Sequence, residues 1–122
     1  MWDVEFYKTE KGDSPIVDFL DGLDIKMRAK ALKEIDLLRE LGQMIREPYS
    51  KHIQNGIYEL RIKLASNISR MFYFFYVDNR IIITNGFIKK TQKTPKSEIE
   101  RAERYKADYE RRSEEDEESN QI

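Results

Sequence analysis

Hydrophobic positions recur along this chain with two periods, and the switches between them mark out the elements. In "WDVEFYK", Trp2, Val4 and Phe6 alternate with Asp3, Glu5 and Tyr7, the pattern of a short half-buried strand. "KGD" breaks it. Ser14-Pro15 then supplies an N-cap and a first-turn proline, predicting a short helix over "PIVDFLDGL". Asp24 caps a longer one, "IKMRAKALKEIDLLRELG". Its apolar positions Met27, Ala31, Ile35 and Leu38 keep helical spacing, widened by Leu32 and Leu41, and Gly42 suits the C′ position. The two helices read as a hairpin with one apolar face, a core or partner surface rather than a chemical one.

After "QMIREPYSKHIQNG", a loop with room for a short strand, the period becomes two. In "IYELRIKL", Tyr58, Leu60, Ile62 and Leu64 line one face and Ile57, Glu59, Arg61 and Lys63 the other. "ASN" turns the chain into "ISRMFYFFYV", and "DN" turns it again into "RIIITNGF", which predicts an antiparallel meander. Thr94-Pro95 repeats the cap-and-proline signal before a last helix with Ile99, Ala102, Tyr105 and Tyr109 inward. The order β-α-α-β-β-β-α predicts an α+β domain. A small antiparallel sheet carries the N-terminal helical hairpin on one face and is followed by a C-terminal helix, with the other face partly open.

Length and composition narrow the class. The 122 residues suit one domain, expected over residues 1–112, with an acidic tail over 113–122 that is frayed helix or disordered. No cysteine is present, which excludes thiolate zinc sites, disulfide scaffolds and cysteine nucleophiles. The first residues show no basic stretch followed by an apolar one, and no apolar run approaches the roughly 18 residues of a membrane helix. A cytoplasmic protein without membrane contact is therefore expected.

Charge changes the picture more. The net charge is −1, but the five acids of "SEEDEESNQI" leave residues 1–112 with 22 bases against 18 acids. Residues 43–96 hold ten bases against Glu47, Glu59 and Asp78, the footprint of a polyanion ligand. Arg61 and Lys63 point away from the face that packs on the helices. Arg70 shares its face with Phe72 and Phe74, while Met71, Tyr73 and Phe75 take the other. Both faces of this strand are apolar, so its register stays open. With Arg70 on the Arg61 side, the pair projects from the open face, Phe72 and Phe74 become stacking platforms, and Lys89 and Lys90 close the patch. Such a set suits phosphate: guanidinium groups grip it in a fork, ammonium groups add point charges, and aromatics stack on unpaired bases. The alternative is that Arg61 and Arg70 each pair with a nearby acid such as Glu59. The acidic tail either shields the basic face or forms a solvated end.

Other chemistries lack their residues. One histidine, His52, excludes a His-rich metal site and a two-histidine acid–base mechanism, and there is no glycine-rich phosphate loop. His52 reads as a loop or edge-strand residue, the alternative being that it reaches the phosphate site.

"NGIYELRIKL" and "SRMFYFFYVDNRIIITNGFIKKTQKTPKSEIERAERYKADY" together resemble the phage-derived HigB-type toxins of the RelE/ParE superfamily. The shared motif runs Gly-x-Tyr-Glu-Leu-Arg, Arg-x-x-Tyr-Phe, Gly-Phe-x-Lys-Lys-Thr-x-Lys-Thr-Pro, then Glu-Ile and an alanine-bearing helix, from Gly56 to Tyr109. The resemblance implies a RelE-like fold with a concave basic face. It implies a type II toxin that cleaves mRNA, typically in the ribosomal A site, and so inhibits translation without metal or other cofactor. Attack of a ribose 2′-hydroxyl on the adjacent phosphate would leave a 2′,3′-cyclic phosphate or 3′-phosphate and a 5′-hydroxyl. Carried over by position, Arg61 and Arg70 contact the scissile phosphate, and Lys89 and Lys90 complete the charge clamp or assist proton transfer. Lys63, Lys93 and His52 are candidates for backbone contacts.

Two positions depart from RelE itself. A lysine pair there is replaced here by Glu59 and Arg61, and a tyrosine at the start of its final helix by Pro95 and Lys96. Tyr73 or a lysine of lowered pKa would then serve as acid or base. The resemblance also implies a helix-turn-helix antitoxin of HigA type, which covers part of the basic face or the N-terminal helices and carries operator DNA binding. Two rivals remain: a ParE-like inhibitor of DNA gyrase that cuts nothing, and a non-catalytic RNA-binding module.

Overall fold

A computed structural model of the chain describes residues 1–90 and 93–120. In chain order it contains β1 (Asp3–Phe6), α1 (Pro15–Asp21), α2 (Ile25–Leu41), a 3-10 turn (Gly42–Met44), β2 (Ser50–Gln54), β3 (Ile57–Leu64), β4 (Asn67–Tyr76), β5 (Arg80–Ile88) and α3 (Lys96–Asn120). The strands form one sheet in the order β1-β5-β4-β3-β2. β2 to β5 are antiparallel neighbours, while β1 joins the far edge parallel to β5, with Val4 beside Ile81.

Local chemistry starts the helices where expected. Ser14 Oγ accepts from the Val17 amide, with Pro15 in the first turn, and Asp24 Oδ1 accepts from the Met27 amide at 2.9 Å. Two glycines let the helical layer close on the sheet. A Cβ at Gly86 would sit 2.5 Å from Phe19 Cδ2, and Gly42 (φ +53°) lies under the Trp2 indole. Ile16, Leu20, Met27, Ala31, Ile35 and Leu38 bury against Leu60, Ile62, Met71, Tyr73, Ile81 and Ile83. Leu32 and Leu41, expected to widen this stripe, face solvent instead, because the sheet covers only the narrower arc.

The second face is open only in part, at the corner beyond the start of α3. Most of it is covered by α3: Ala102 is buried with Tyr7, Ile57, Phe72, Phe74 and Ile82, flanked by Ile99, Tyr105 and Tyr109. Phe72 and Phe74 are fully buried there and offer no platform for bases. Farther along, polar bonds hold α3. The Tyr7 hydroxyl donates to Asp108 at 2.6 Å, the Tyr109 hydroxyl donates to Glu5 at 2.7 Å, and Arg80 donates to the Tyr109 oxygen at 3.0 Å. The acidic segment is helical through Asn120. Its last two residues lie outside those described, as do Thr91 and Gln92 of the lysine-rich motif. No helix among the described residues is long and apolar enough to cross a membrane.

Candidate functional site

The N-terminal end of α3 leaves one corner of its sheet face uncovered, and the chain's charged strand residues meet there. β3 turns Leu60 and Ile62 into the helical layer, so Glu59 and Arg61 face the other way. On β4, Met71 and Tyr73 are on the helical side, which fixes the register that two apolar faces had left open and puts Arg70 with Arg61. The two arginines are direct partners across the strands. Lys89 follows the last residue of β5, and its amide donates to the Ile68 carbonyl at 2.9 Å. On the other side, the Arg61 amide donates to Tyr49 at 2.8 Å and draws the approach to β2 into place.

A cavity of about 590 Å³ results, lined by Lys51, Arg61, Arg70, Lys89 and Lys93 against two carboxylates, Glu47 and Glu59. Pro48, Ser50, Ile53 and Thr94 complete the walls. Glu59 is almost fully buried and serves two partners. Arg70 Nη1 lies 3.0 Å from Oε1, and the Thr94 hydroxyl donates to Oε2 at 2.7 Å. Thr94 was expected to cap the last helix; its hydroxyl is turned to this buried carboxylate instead, and α3 begins at Lys96. Among the described residues no carboxylate lies within ion-pair distance of Arg61. Arg61 Nε and Arg70 Nε are both buried and unpartnered.

Crowding of like charge shows in proton affinity. Burial, opposed by Glu59 and reinforced by Arg61, pushes the Arg70 guanidinium below its ordinary value. Burial and then Arg70 do the same to Lys89, with Arg61 and Lys51 adding to the push.

Of the expected site residues, Arg61, Arg70, Lys89 and Lys93 come together here. The other four do not line the cavity. Lys90 and Lys63 are exposed side chains outside its walls, Lys90 because it lies past the strand end and Lys63 because it sits one alternation farther along β3. The His52 ring lies edge-on to Tyr58 at 5.0 Å, on the helical side of the sheet. Tyr73 is buried on that side too, stacked on Tyr58 at 5.4 Å, and burial raises its pKa to about 12. Its hydroxyl reaches the cavity wall only through Ser50. Proton transfer inside the cavity by Tyr73 has no geometric support. Lys51, Thr94 and Ser50 are wall residues that strand periodicity did not single out. Lys51 alone carried a signal, as one base of the cationic segment.

Among the described residues, the expectation that each arginine pairs with an acid holds for Arg70 alone. The acidic end of α3 does not screen the cavity. From Lys96 to Glu114 the helix advances roughly 27 Å at ~1.5 Å per residue, toward Arg80 at the opposite end of β5 from Lys89. Among the described residues no group of three His, Asp or Glu side chains gathers as a metal site.

Residues 18–107, most of the chain and every wall of the cavity, match the family model described as phage derived protein Gp49-like (DUF891). No curated protein matches the chain.

Proposed function

The chain belongs to the phage-derived Gp49-like family, and on that premise we propose that it is the toxin of a type II toxin–antitoxin pair, an mRNA endoribonuclease. One observation carries the proposal: five cationic side chains from β2, β3, β4 and the segment between β5 and α3 wall a single cavity, with Arg61 opposite Arg70 at its floor. An RNA phosphodiester is the ligand that matches this wall, being anionic, flexible and small enough to enter.

The chemistry follows from the charge. The ribose 2′-hydroxyl gives up its proton to solvent water as its oxygen attacks the adjacent phosphorus, the bond to the 5′-oxygen breaks, and the products are a 2′,3′-cyclic phosphate and a 5′-hydroxyl. Negative charge grows on the non-bridging oxygens, where Arg61 and Arg70 are already in place and need no reorganisation. Lys89 is the proton donor to the departing 5′-oxygen. Burial, and after it the neighbouring Arg70, weaken its hold on the proton, which brings it nearer the range useful at neutral pH. Glu59 is engaged by Arg70 and Thr94 and is not the base. The fast, ribosome-dependent form of the reaction uses mRNA held in the decoding site. A small antitoxin of helix-turn-helix type neutralises the protein by covering the cavity or the N-terminal helices.

The test is to induce the protein in cells and map 5′-ends of RNA, in parallel with cleavage of mRNA by purified protein with and without ribosomes. New 5′-hydroxyl ends within coding sequence are expected, absent in Arg61→Ala. Intact message with a DNA-damage response would point to gyrase, and RNA binding without product to a passive module.

A further inference from the structure

Proposed chemistry at the cavity gives Glu59 no task, although it is 3% exposed and both of its oxygens are engaged. As a base it would have to take a proton and release Arg70. As a neighbour of bound RNA it subtracts positive charge where charge is useful. Electrostatics alone would favour a neutral side chain at this position.

The partners it holds belong to different elements. Arg70 comes from β4, opposite the like-charged Arg61, and repulsion drives such a pair apart unless something restrains it. Thr94 comes from the segment that links β5 to α3 and is the direct neighbour of Lys93. Four residues on, Asn85 of β5 donates to the Glu98 carbonyl at 3.4 Å and to its carboxylate at 3.3 Å, which fixes the first turn of α3 from the other side. We infer that Glu59 is the positioning residue of the cavity: one carboxylate sets the Arg70 guanidinium beside Arg61 and fastens Thr94, with Lys93, to the sheet. Long cationic side chains lose much freedom when they bind an anion, and a site ordered beforehand avoids that loss at the moment of reaction. The inference rests on the cavity being an RNA phosphate site, but the clasp itself can be tested without RNA.

Three full-length variants separate its arms: Thr94→Val, Glu59→Gln and Glu59→Ala. In nitrogen–proton correlation spectra, Thr94→Val should move the Lys93 amide and leave the Arg70 Nε signal in place. Glu59→Ala should move both, and Glu59→Gln, which keeps the shape and one acceptor, should restore part of each. Binding and single-turnover cleavage of a short fluorescein-labelled single-stranded RNA then read the consequence. Glu59→Ala should bind at least as tightly as wild type yet cleave about 100-fold more slowly, the penalty of a small misplacement, with glutamine recovering part of the rate. Should Glu59→Ala fail to fold, the glutamine and Thr94→Val proteins carry the same comparison. Unmoved Arg70 and Lys93 signals, or wild-type cleavage by the Glu59 variants, would overturn the inference and leave Glu59 a plain counter-ion. A wild-type protein that cleaves nothing while the signals move as stated would sink the proposed function and keep the clasp.

Discussion

Arg61 and Arg70 stand directly across from each other on β3 and β4, and among the described residues only Arg70 of the two is held by a carboxylate. This asymmetry makes the two arginines respond differently to removal. Opposed like charges on neighbouring strands cost roughly 0.2–1 kcal/mol. Arg61→Ala removes that repulsion and a buried unpartnered Nε. It should leave stability unchanged or slightly raised in urea titrations, while cleavage falls by about 100-fold or more.

Arg70→Ala strips the partner from a buried carboxylate. The expected loss is about 3–5 kcal/mol of unfolding free energy, visible as a lower denaturant midpoint. Arg70→Met combined with Glu59→Leu should recover most of it, because the desolvated pair is replaced together. If the double variant is no more stable than Arg70→Ala, the Glu59 contact is not what makes Arg70 structurally necessary.

Salt should report how many cavity cations meet phosphate. On single strands each neutralised phosphate contributes a slope of about −0.7 in log affinity against log salt. Lys51→Gln should make the slope shallower by about that amount and weaken all RNA sequences alike. An unchanged slope would place Lys51 outside the binding surface.

Alkaline pH should weaken the fold through tyrosines. Tyr7, Tyr73 and Tyr109 are each raised from 10.0 to about 12, foremost by burial, with Asp108 adding for Tyr7 and Glu5 for Tyr109. A raised folded pKa gives a contribution that is complete below 10 and disappears as pH climbs toward 12. Lys89 works in the other direction. The unfolded chain holds that proton more firmly, so its penalty stands at neutral pH and is relieved as pH rises toward 10.5. Lys89→Met should therefore raise stability at neutral pH. Absorbance titration of the tyrosines and denaturant midpoints across pH would show both effects.

At Gly86 the Phe19 ring occupies the space a side chain would need. Gly86→Ala should lift α1 from β5 and cost about 1–3 kcal/mol, measurable by thermal melts. Gly12→Ala is a useful contrast. That glycine, unlike Gly86, has a left-handed backbone (φ +94°), and nothing crowds its Cβ position, so any loss there reports backbone strain alone.

The elements were legible in the sequence because each carries a local cause. Ser14 and Asp24 have cap geometry, and β3 shows clean alternation that assigns Glu59 and Arg61 to the same side. Whether β4 presented Arg70 or Met71 to that side could not be read, since Phe72, Phe74, Tyr73 and Phe75 make both faces apolar. Its antiparallel register with β3 settles it. The inner side of α3, with Ile99, Ala102, Tyr105 and Tyr109, was legible, but helical spacing shows only that a face is apolar and not which surface it covers. Half of the expected site residues met in the cavity. Lys90 was drawn in by its place beside Lys89 in the motif, and Lys63 by the strand face it shares with Arg61. His52 and Tyr73 belong to the opposite layer, a fact about three-dimensional pairing that no local pattern records.

The parallel pairing of β1 with β5 has a bearing on synthesis. β1 has as its neighbour β5, which comes after the other four strands in chain order, so it waits, unpaired, until residues 80–88 have emerged. A nascent chain halted before that point already contains both arginines, yet lacks the edge that closes the sheet and the segment that bears Lys89 and Thr94. A fragment of this length is not a miniature version of the whole, because the cavity needs Lys89, Lys93 and Thr94 to complete its wall.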